Sequence, residues 1–444
     1  MRRTATFRIF ALLFAFVLLL SSLSIPTFAD NESFPDVSRA ESAFLFNINT
    51  DKLIYSKSMD KKIFTGSVTK MVGGLILCEY FANRMDDAVI ITDNMLANAQ
   101  GAKIKLSAGD TVTFKDLLYG VVCGGGNDAC YTLAFALSGS VEAFVTLMNN
   151  TVISWGATST VFTNPSGYDD PNMYTTAEDV LIISQRAAKN KLYMDASSSL
   201  SYTIKPQNSS KELKLFNRNS LISSFYASGY QNKYAYGLIA GFTDLGQYTA
   251  ITYLEKDGTE FLCGIMGAQD TYDPKEILSY KYINAISEYA FKNYKYQKIF
   301  VEDKYICTLN VNLALPEGDS EFATVDCYSS SDIYALVSPD FNIDKDVSYK
   351  YYLHHKELYA PVRQGIVVGG IDVIYDGKII GSTQLLAGES VEENSILFSL
   401  NNMKAFFLGR FFILSVILFV FLTALYLLID ALNINLKNKI KRKK

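Results

Sequence analysis

The sequence predicts an α+β fold in which a helical cluster covers an antiparallel sheet, followed by a small all-β domain and one carboxyl-terminal transmembrane helix. Three observations predict it. Segments with hairpin character stand near residues 42–57 and 247–268, with helix-like periodicity between them. From about residue 301 the pattern is strand throughout. An uncharged apolar run then fills residues 411–429, and at about 1.5 Å per residue it reaches about 28 Å, enough for the hydrocarbon core.

At the amino end, Arg2, Arg3 and Arg8 precede the apolar run Ile9 to Leu20, and small residues lead to Ala29. This layout predicts a secretory signal over 1–29, with the mature chain starting at Asp30. The rival reading is an uncleaved anchor helix, but the core of the run is short against the ~20 residues that a span needs. "SAFLFNINTDKLIYSK" then gives two short strands around a polar turn. From Ser67 onward Val68, Met71, Val72, Leu75 and Ile76 recur at helical steps, which puts Ser67 and Lys70 on one face where an amphipathic helix begins. Gly73 and Gly74 weaken that helix by about 1 kcal/mol each.

"FKDLLYGVVCGGGNDACYTLAFAL" predicts two helices with a glycine-rich break, the second beginning near Asn127. No Lys-Ser/Thr follows Gly124 to Gly126, so this is a tight interhelical turn rather than a phosphate-cradling loop. "NPSGYDD" is rich in turn formers, and Thr175 or Thr176 is placed to cap the helix that follows. "YTAITYLEKDGTEFLCGIMGA" predicts a hairpin around Asp257-Gly258, and Asp376-Gly377 marks another in the β-domain. The expected organisation is an α+β domain over 30–296, a β-rich domain over 297–400, an anchor over 404–430 with its span at 411–429, and a basic tail over 431–444. That tail carries Lys437, Lys439, Lys441, Arg442, Lys443 and Lys444, and the positive-inside bias places it in the cytoplasm and the main domains outside.

Formal net charge is −4 with the basic tail included, so the outer part is acidic and lacks the basic, aromatic-lined surface that nucleic acid requires. The chain holds six cysteines without C-x-x-C spacing, which points to neither a disulfide framework nor a zinc site; whether Cys307 pairs with Cys327 stays open. His354 and His355 are the only histidines and are remote from Ser67 in sequence, which disfavours a Ser-His relay. A serine without histidine is activated by a lysine that burial keeps neutral, and Ser67 and Lys70 have that spacing. Alone, Ser-x-x-Lys is a common pattern, and a helix-capping serine with a surface lysine explains it equally well.

The surrounding strings supply the context. Besides "SVTK", the stretches "GAKIKLSAGDTVTFKDLLYGVVCGGGNDA", "NPSGYDD…YTTAEDV" and "YGLIAGFTDLGQYTAI" resemble those of the penicillin-binding D-alanyl-D-alanine carboxypeptidases, serine peptidases related to class A β-lactamases. The resemblance covers about residues 42–266, and "APVRQGIVVGGIDVIYDGKIIG" is similar to that family's β-domain. It implies a β-lactamase/transpeptidase-like fold and a peptidoglycan stem peptide as substrate. Ser67 would be the nucleophile and Lys70 the general base. Asn127 would be the surviving second-motif residue, and Gly125, Gly126, Ile239, Ala240 and Gly241 would line the substrate site. Backbone N–H groups, that of Ser67 included, would hold the oxyanion. β-Lactams would be covalent inhibitors, and no metal or organic cofactor is implied. Two motifs depart from the pattern: Gly125 stands where the family has the second-motif serine, and Ile239-Ala240-Gly241 replaces Lys-Thr-Gly. A serine peptidase of altered efficiency and an inactive wall-peptide scaffold are therefore both open readings.

Overall fold

The computed structural model describes residues 33–269, 276–316 and 321–441; the expected secretory signal lies outside them. The chain divides after Tyr294 into two compact units.

The first unit is built on a five-stranded antiparallel sheet. Its strands are β1 (Ser42–Asn47), β2 (Lys52–Lys57), β7 (Ala235–Thr243), β8 (Gln247–Lys256) and β9 (Thr259–Ala268), in the order β2-β1-β9-β8-β7. Two short pairs lie apart from it, β3 (Ala88–Ile90) with β4 (Thr111–Thr113) and β5 (Ser201–Ile204) with β6 (Leu213–Phe216). The β8–β9 hairpin turns where the sequence predicts, because Asp257 and Gly258 both take positive φ, 52° and 78°, the pairing that matches strand twist. Every residue of β1 is buried, and only Glu260 of β9 is not, so the centre of the sheet is covered on both faces.

The covering helices are α1 (Val68–Tyr80), α2 (Asp93–Leu96), α3 (Phe114–Val122), α4 (Asn127–Ser138), α5 (Val141–Ser154), α6 (Ala177–Lys189), α7 (Lys191–Ser198) and α8 (Leu278–Asn293). Helix α1 is buried from Val68 to Cys78, which makes it the axis of the helical cluster. Its two glycines have a packing reason: a Cβ on Gly74 would stand 3.2 Å from the ring of Tyr193, and one on Gly73 would touch Phe144. Helix α3 starts on a capping box in which Thr113 and Asp116 bond reciprocally, and Thr176 caps α6 by accepting from Asp179 N at 3.2 Å.

The second unit, from Lys295, is a six-stranded sheet with a small companion pair. Its strands are β10 (Lys295–Phe300), β11 (Tyr305–Asn312), β12 (Ala323–Ser329), β13 (Ile333–Val337), β14 (Val347–Leu353), β15 (Leu358–Tyr359), β16 (Val367–Tyr375) and β17 (Lys378–Ala387), and a short helix, α9 (Ile343–Asp346), stands between β13 and β14. The large sheet runs β14-β16-β17-β12-β11-β15, and β10 pairs with β13. Asp376 and Gly377, again at positive φ, turn β16 into β17. Ile299, Phe300, Val325, Ile371, Val373 and Leu385 form its core. After this sheet come α10 (Ser395–Leu408) and α11 (Arg410–Lys441). Residues Arg410–Leu432 of α11 are long and apolar enough to cross a membrane.

Candidate active site

Ser67 stands at the entrance to α1, immediately after Gly66 with φ +43°. Its hydroxyl makes no capping bond to the helix, so the bland role of a capping serine is not what this side chain performs. One turn later, Lys70 is only 8% exposed. Its amine donates to Ser166 O at 2.6 Å. Burial pushes the Lys70 pKa below its ordinary value, and the nearby Arg218 charge acts in the same direction while the Cys130 thiol opposes both.

The carbonyl that receives Lys70 is held by a local turn. Asn164 Oδ1 accepts from Ser166 N at 3.1 Å and Gly167 N at 2.9 Å, and Asn164 Nδ2 donates to Tyr168 O at 2.8 Å. Gly167 has φ +76°, and a Cβ there would lie 1.9 Å from Gly66 O. The "NPSGY" turn is thus packed directly against the peptide that precedes Ser67.

The break between α3 and α4 forms a second wall. Gly125 lies at φ +65°, and a Cβ on it would meet Arg218 Cγ at 3.1 Å. Gly126 is the backbone N-cap of α4. Asn127 is 4% exposed; its Nδ2 donates to Gln100 O at 2.5 Å, and its Oδ1 has no hydrogen-bond partner among the described residues. Beside it, the buried Asp128 carboxylate accepts from the backbone of Ile104, Lys105 and Leu106 at 2.9–3.1 Å. This bond set hangs the loop that carries Ala102 on the start of α4.

Strand β7 is the third wall. Ile239, Ala240 and Gly241 pair with Ile251, Ala250 and Thr249 of β8. Gly241 lies against the nucleophile candidate, since a Cβ there would stand 2.1 Å from Ser67 Oγ. Ser67, Lys70, Gly125, Arg218, Ile239 and Gly241 share one cleft of about 210 Å³. Ala240 lines it too, whereas Gly126 and Asn127 are not among its lining residues. Lys233 is exposed and lies over the Tyr234 ring at 4.8 Å, away from the cleft. Both histidines are exposed residues of the second unit.

Arg218 is the site residue that sequence reasoning missed. Its Nε donates to Gly124 O at 3.3 Å and its guanidinium lies 4.4 Å from the centre of the Tyr226 ring. The flanking Asn217 and Asn219 are buried and fix it: Asn217 Nδ2 donates to Ser197 O at 2.8 Å, and Asn219 Nδ2 to Gly237 O at 3.1 Å. The run "FNRNSL" carried a signal, because two asparagines alternating with an arginine in an otherwise strand-like stretch ask for buried partners.

The family model for D-alanyl-D-alanine carboxypeptidase matches residues 29–270, more than half of the chain. The chain belongs to the D-alanyl-D-alanine carboxypeptidase family. Residues 294–393 match the C-terminal domain of penicillin-binding protein 5. D-alanyl-D-alanine carboxypeptidase DacF of Bacillus subtilis is 24% identical over 358 residues, covering 80% of this chain and 86% of that one. DacA of Escherichia coli K12 is 26% identical over 364 residues, covering 80% and 84%. The crystal structure of penicillin-binding protein 5 from Haemophilus influenzae aligns with a TM-score of 0.58 at 25% identity, over 81% of this chain and 99% of that one. These matches agree with the expected fold class, a penicillin-binding α+β domain with an all-β companion and an apolar terminal helix.

Proposed function

We propose that this carboxypeptidase-family chain acts by an acyl-enzyme mechanism on peptidoglycan stem peptides ending in D-alanyl-D-alanine, with Ser67 as nucleophile and Lys70 as general base. The observation that carries it is the shared cleft. A hydroxyl not committed to helix capping and an amine buried against Ser166 O both line it. A neutral Lys70 accepts the Ser67 proton as Oγ attacks the penultimate D-alanine carbonyl, that proton passes to the amide nitrogen as the terminal D-alanine leaves as the amine, and water then hydrolyses the ester with Lys70 again as base.

The substituted motifs shape this chemistry. Gly125 supplies no hydroxyl to carry a proton toward the leaving amine, which removes about 10²–10⁴ in rate. Ile239 and Ala240 cannot hold the terminal carboxylate; that role falls to Arg218, whose charge lines the same cleft. Turnover is therefore reduced relative to a site with all three motifs. A second reading has its own observation: with apolar Ile239 and Ala240 on the cleft wall, the chain is a pseudoenzyme that holds wall peptide without cleaving it. In either case the expected signal over 1–29, the candidate span Arg410–Leu432 and the basic tail support a location of both main domains on the outer face of a bacterial cell membrane.

The deciding experiment incubates the detergent-solubilised full chain with a pentapeptide ending in D-alanyl-D-alanine and measures released D-alanine. Release that Ser67→Ala abolishes supports the enzyme. Binding of the peptide with no release supports the scaffold.

A further inference from the structure

Outside the cleft, the second unit brings two nucleophilic side chains face to face. Cys307 of β11 lies directly opposite Cys327 of β12 in the antiparallel ladder. Opposed residues in such a ladder have Cα atoms about 4.5 or 5.5 Å apart, and both values fall inside the roughly 4.4–6.8 Å over which a disulfide closes without moving the backbone. The pleat sends opposed side chains to the same face, so the two thiols stand on one face of the β11–β12 pair. The remaining cysteines, Cys78, Cys123, Cys130 and Cys263, are buried in the first unit.

The two thiols are not equivalent. Cys327 is fully buried in the core of the second unit, and burial pushes its pKa up to about 12. Cys307 is half-buried. Burial raises its pKa as well, but hydrogen bonds with Tyr351 and Cys327 pull it back. One sulfur is thus within reach of a small reagent and the other is shielded beside it, an arrangement suited to attack at the first and resolution by the second.

We propose that Cys307 and Cys327 are an oxidisable dithiol that closes to a cross-strand disulfide between β11 and β12, with a small-molecule disulfide as oxidant. The Cys307 thiolate attacks one sulfur of the oxidant and expels the first small thiolate. Cys327 passes its proton to the expelled small thiolate and attacks the Cys307 sulfur, expelling the second. Two protein thiols are oxidised to one cystine, and one small disulfide is reduced to two thiols, so atoms and electrons balance. The bond would join β11 to β12, which is itself held to β17 in the middle of the large sheet. The outer location proposed above supplies conditions in which such a bond persists, but the chemistry is independent of any acyl transfer.

The test treats the full chain, folded in detergent, with glutathione disulfide. The product is then denatured, labelled with a maleimide and cleaved into peptides without reduction. The expected result is a linked peptide pair holding Cys307 and Cys327, with maleimide-reactive thiols falling from six to four and returning to six after dithiothreitol. Cys307→Ser should abolish the link and leave Cys327 maleimide-reactive. The proposal is overturned if all six thiols stay reactive, if glutathione remains as a mixed disulfide on Cys307 while Cys327 stays free, or if the link joins another pair.

Discussion

Replacing Gly241 by alanine adds one methyl group to strand β7 at the point where the strand touches the nucleophile candidate. Gly241 does not sit at positive φ, so the backbone accepts alanine without conformational cost. The new Cβ, however, would stand 2.1 Å from Ser67 Oγ and 3.3 Å from Ser67 Cβ. Van der Waals contact needs well over 3 Å, and the cheapest relief is rotation of Ser67 to another staggered rotamer, at a cost on the order of 1 kcal/mol. That rotation carries Oγ roughly 2 Å from its position, and a misplacement of about 1 Å is already enough to cost about 10²-fold in rate. The expected result is a loss of at least about 100-fold in the acylation rate, equivalent to about 2.7 kcal/mol, with unfolding stability changed by no more than about 1 kcal/mol. The assay pairs the time course of labelling by a fluorescent penicillin with a thermal melt of the same sample. A folded Gly241→Ala protein that acylates within about threefold of the unsubstituted chain would refute the placement of Ser67 against β7.

Three further outcomes are expected. Gly167→Ala should destabilise by about 2–5 kcal/mol, combining about 1–2 for a left-handed backbone with about 1–3 for overpacking against Gly66 O; Gly156→Ala, at φ +97° with open space around it, should lose only the first part, and equal urea midpoints for the two would contradict the packing described. Because burial lowers the Lys70 pKa, the neutral amine gains population at lower pH than in an exposed lysine, so acylation should rise with pH and level off below 10.5. The sign for stability is the same: the unfolded chain keeps a proton that the folded chain releases, and stability should increase with pH across that window. A rate still climbing through 10.5 would show a hydrated amine. Arg218→Gln should lower kcat/KM for a peptide with a free terminal carboxylate by about 10- to 150-fold, the worth of a charge-assisted hydrogen bond, and leave hydrolysis of the corresponding amide nearly unchanged; equal losses on both would remove Arg218 from carboxylate binding.

The parts of the molecule legible in the sequence are those fixed by local chemistry. Asp257-Gly258 and Asp376-Gly377 carry their turn in their own φ preferences, and Thr176 carries its cap in its own hydroxyl. The glycine run 124–126 reads as a break because three successive glycines, each about 1 kcal/mol less favourable than alanine in a helix, separate two apolar-periodic stretches. Ser67 and Lys70 share a helical face by spacing alone, so their approach to one cleft was also open to inference. What spacing does not encode is the company each residue keeps across the fold. Lys70 meets a backbone carbonyl at Ser166, 96 positions away, and a carbonyl has no residue-type signature. Arg218 reaches Gly124 from 94 positions away, after four intervening helices have set the distance. Asn127 belongs to a surviving motif, yet its Nδ2 donates to Gln100 O and the residue does not line the cleft, a result of how the 100–106 loop folds over the start of α4. Cys307 and Cys327 show the same limit: their pairing depends on a strand register that turn residues alone do not specify.

The central claim is that Ser67 is activated for acyl transfer by a buried, neutral Lys70. It is tested most directly by intact-mass measurement of the full chain after exposure to benzylpenicillin. The account predicts a mass increase of one penicilloyl group, mapped to the peptide containing Ser67 and lost in both Ser67→Ala and Lys70→Ala. An unchanged mass for the folded, unsubstituted chain, or an adduct that survives in Lys70→Ala at an undiminished rate, would contradict it.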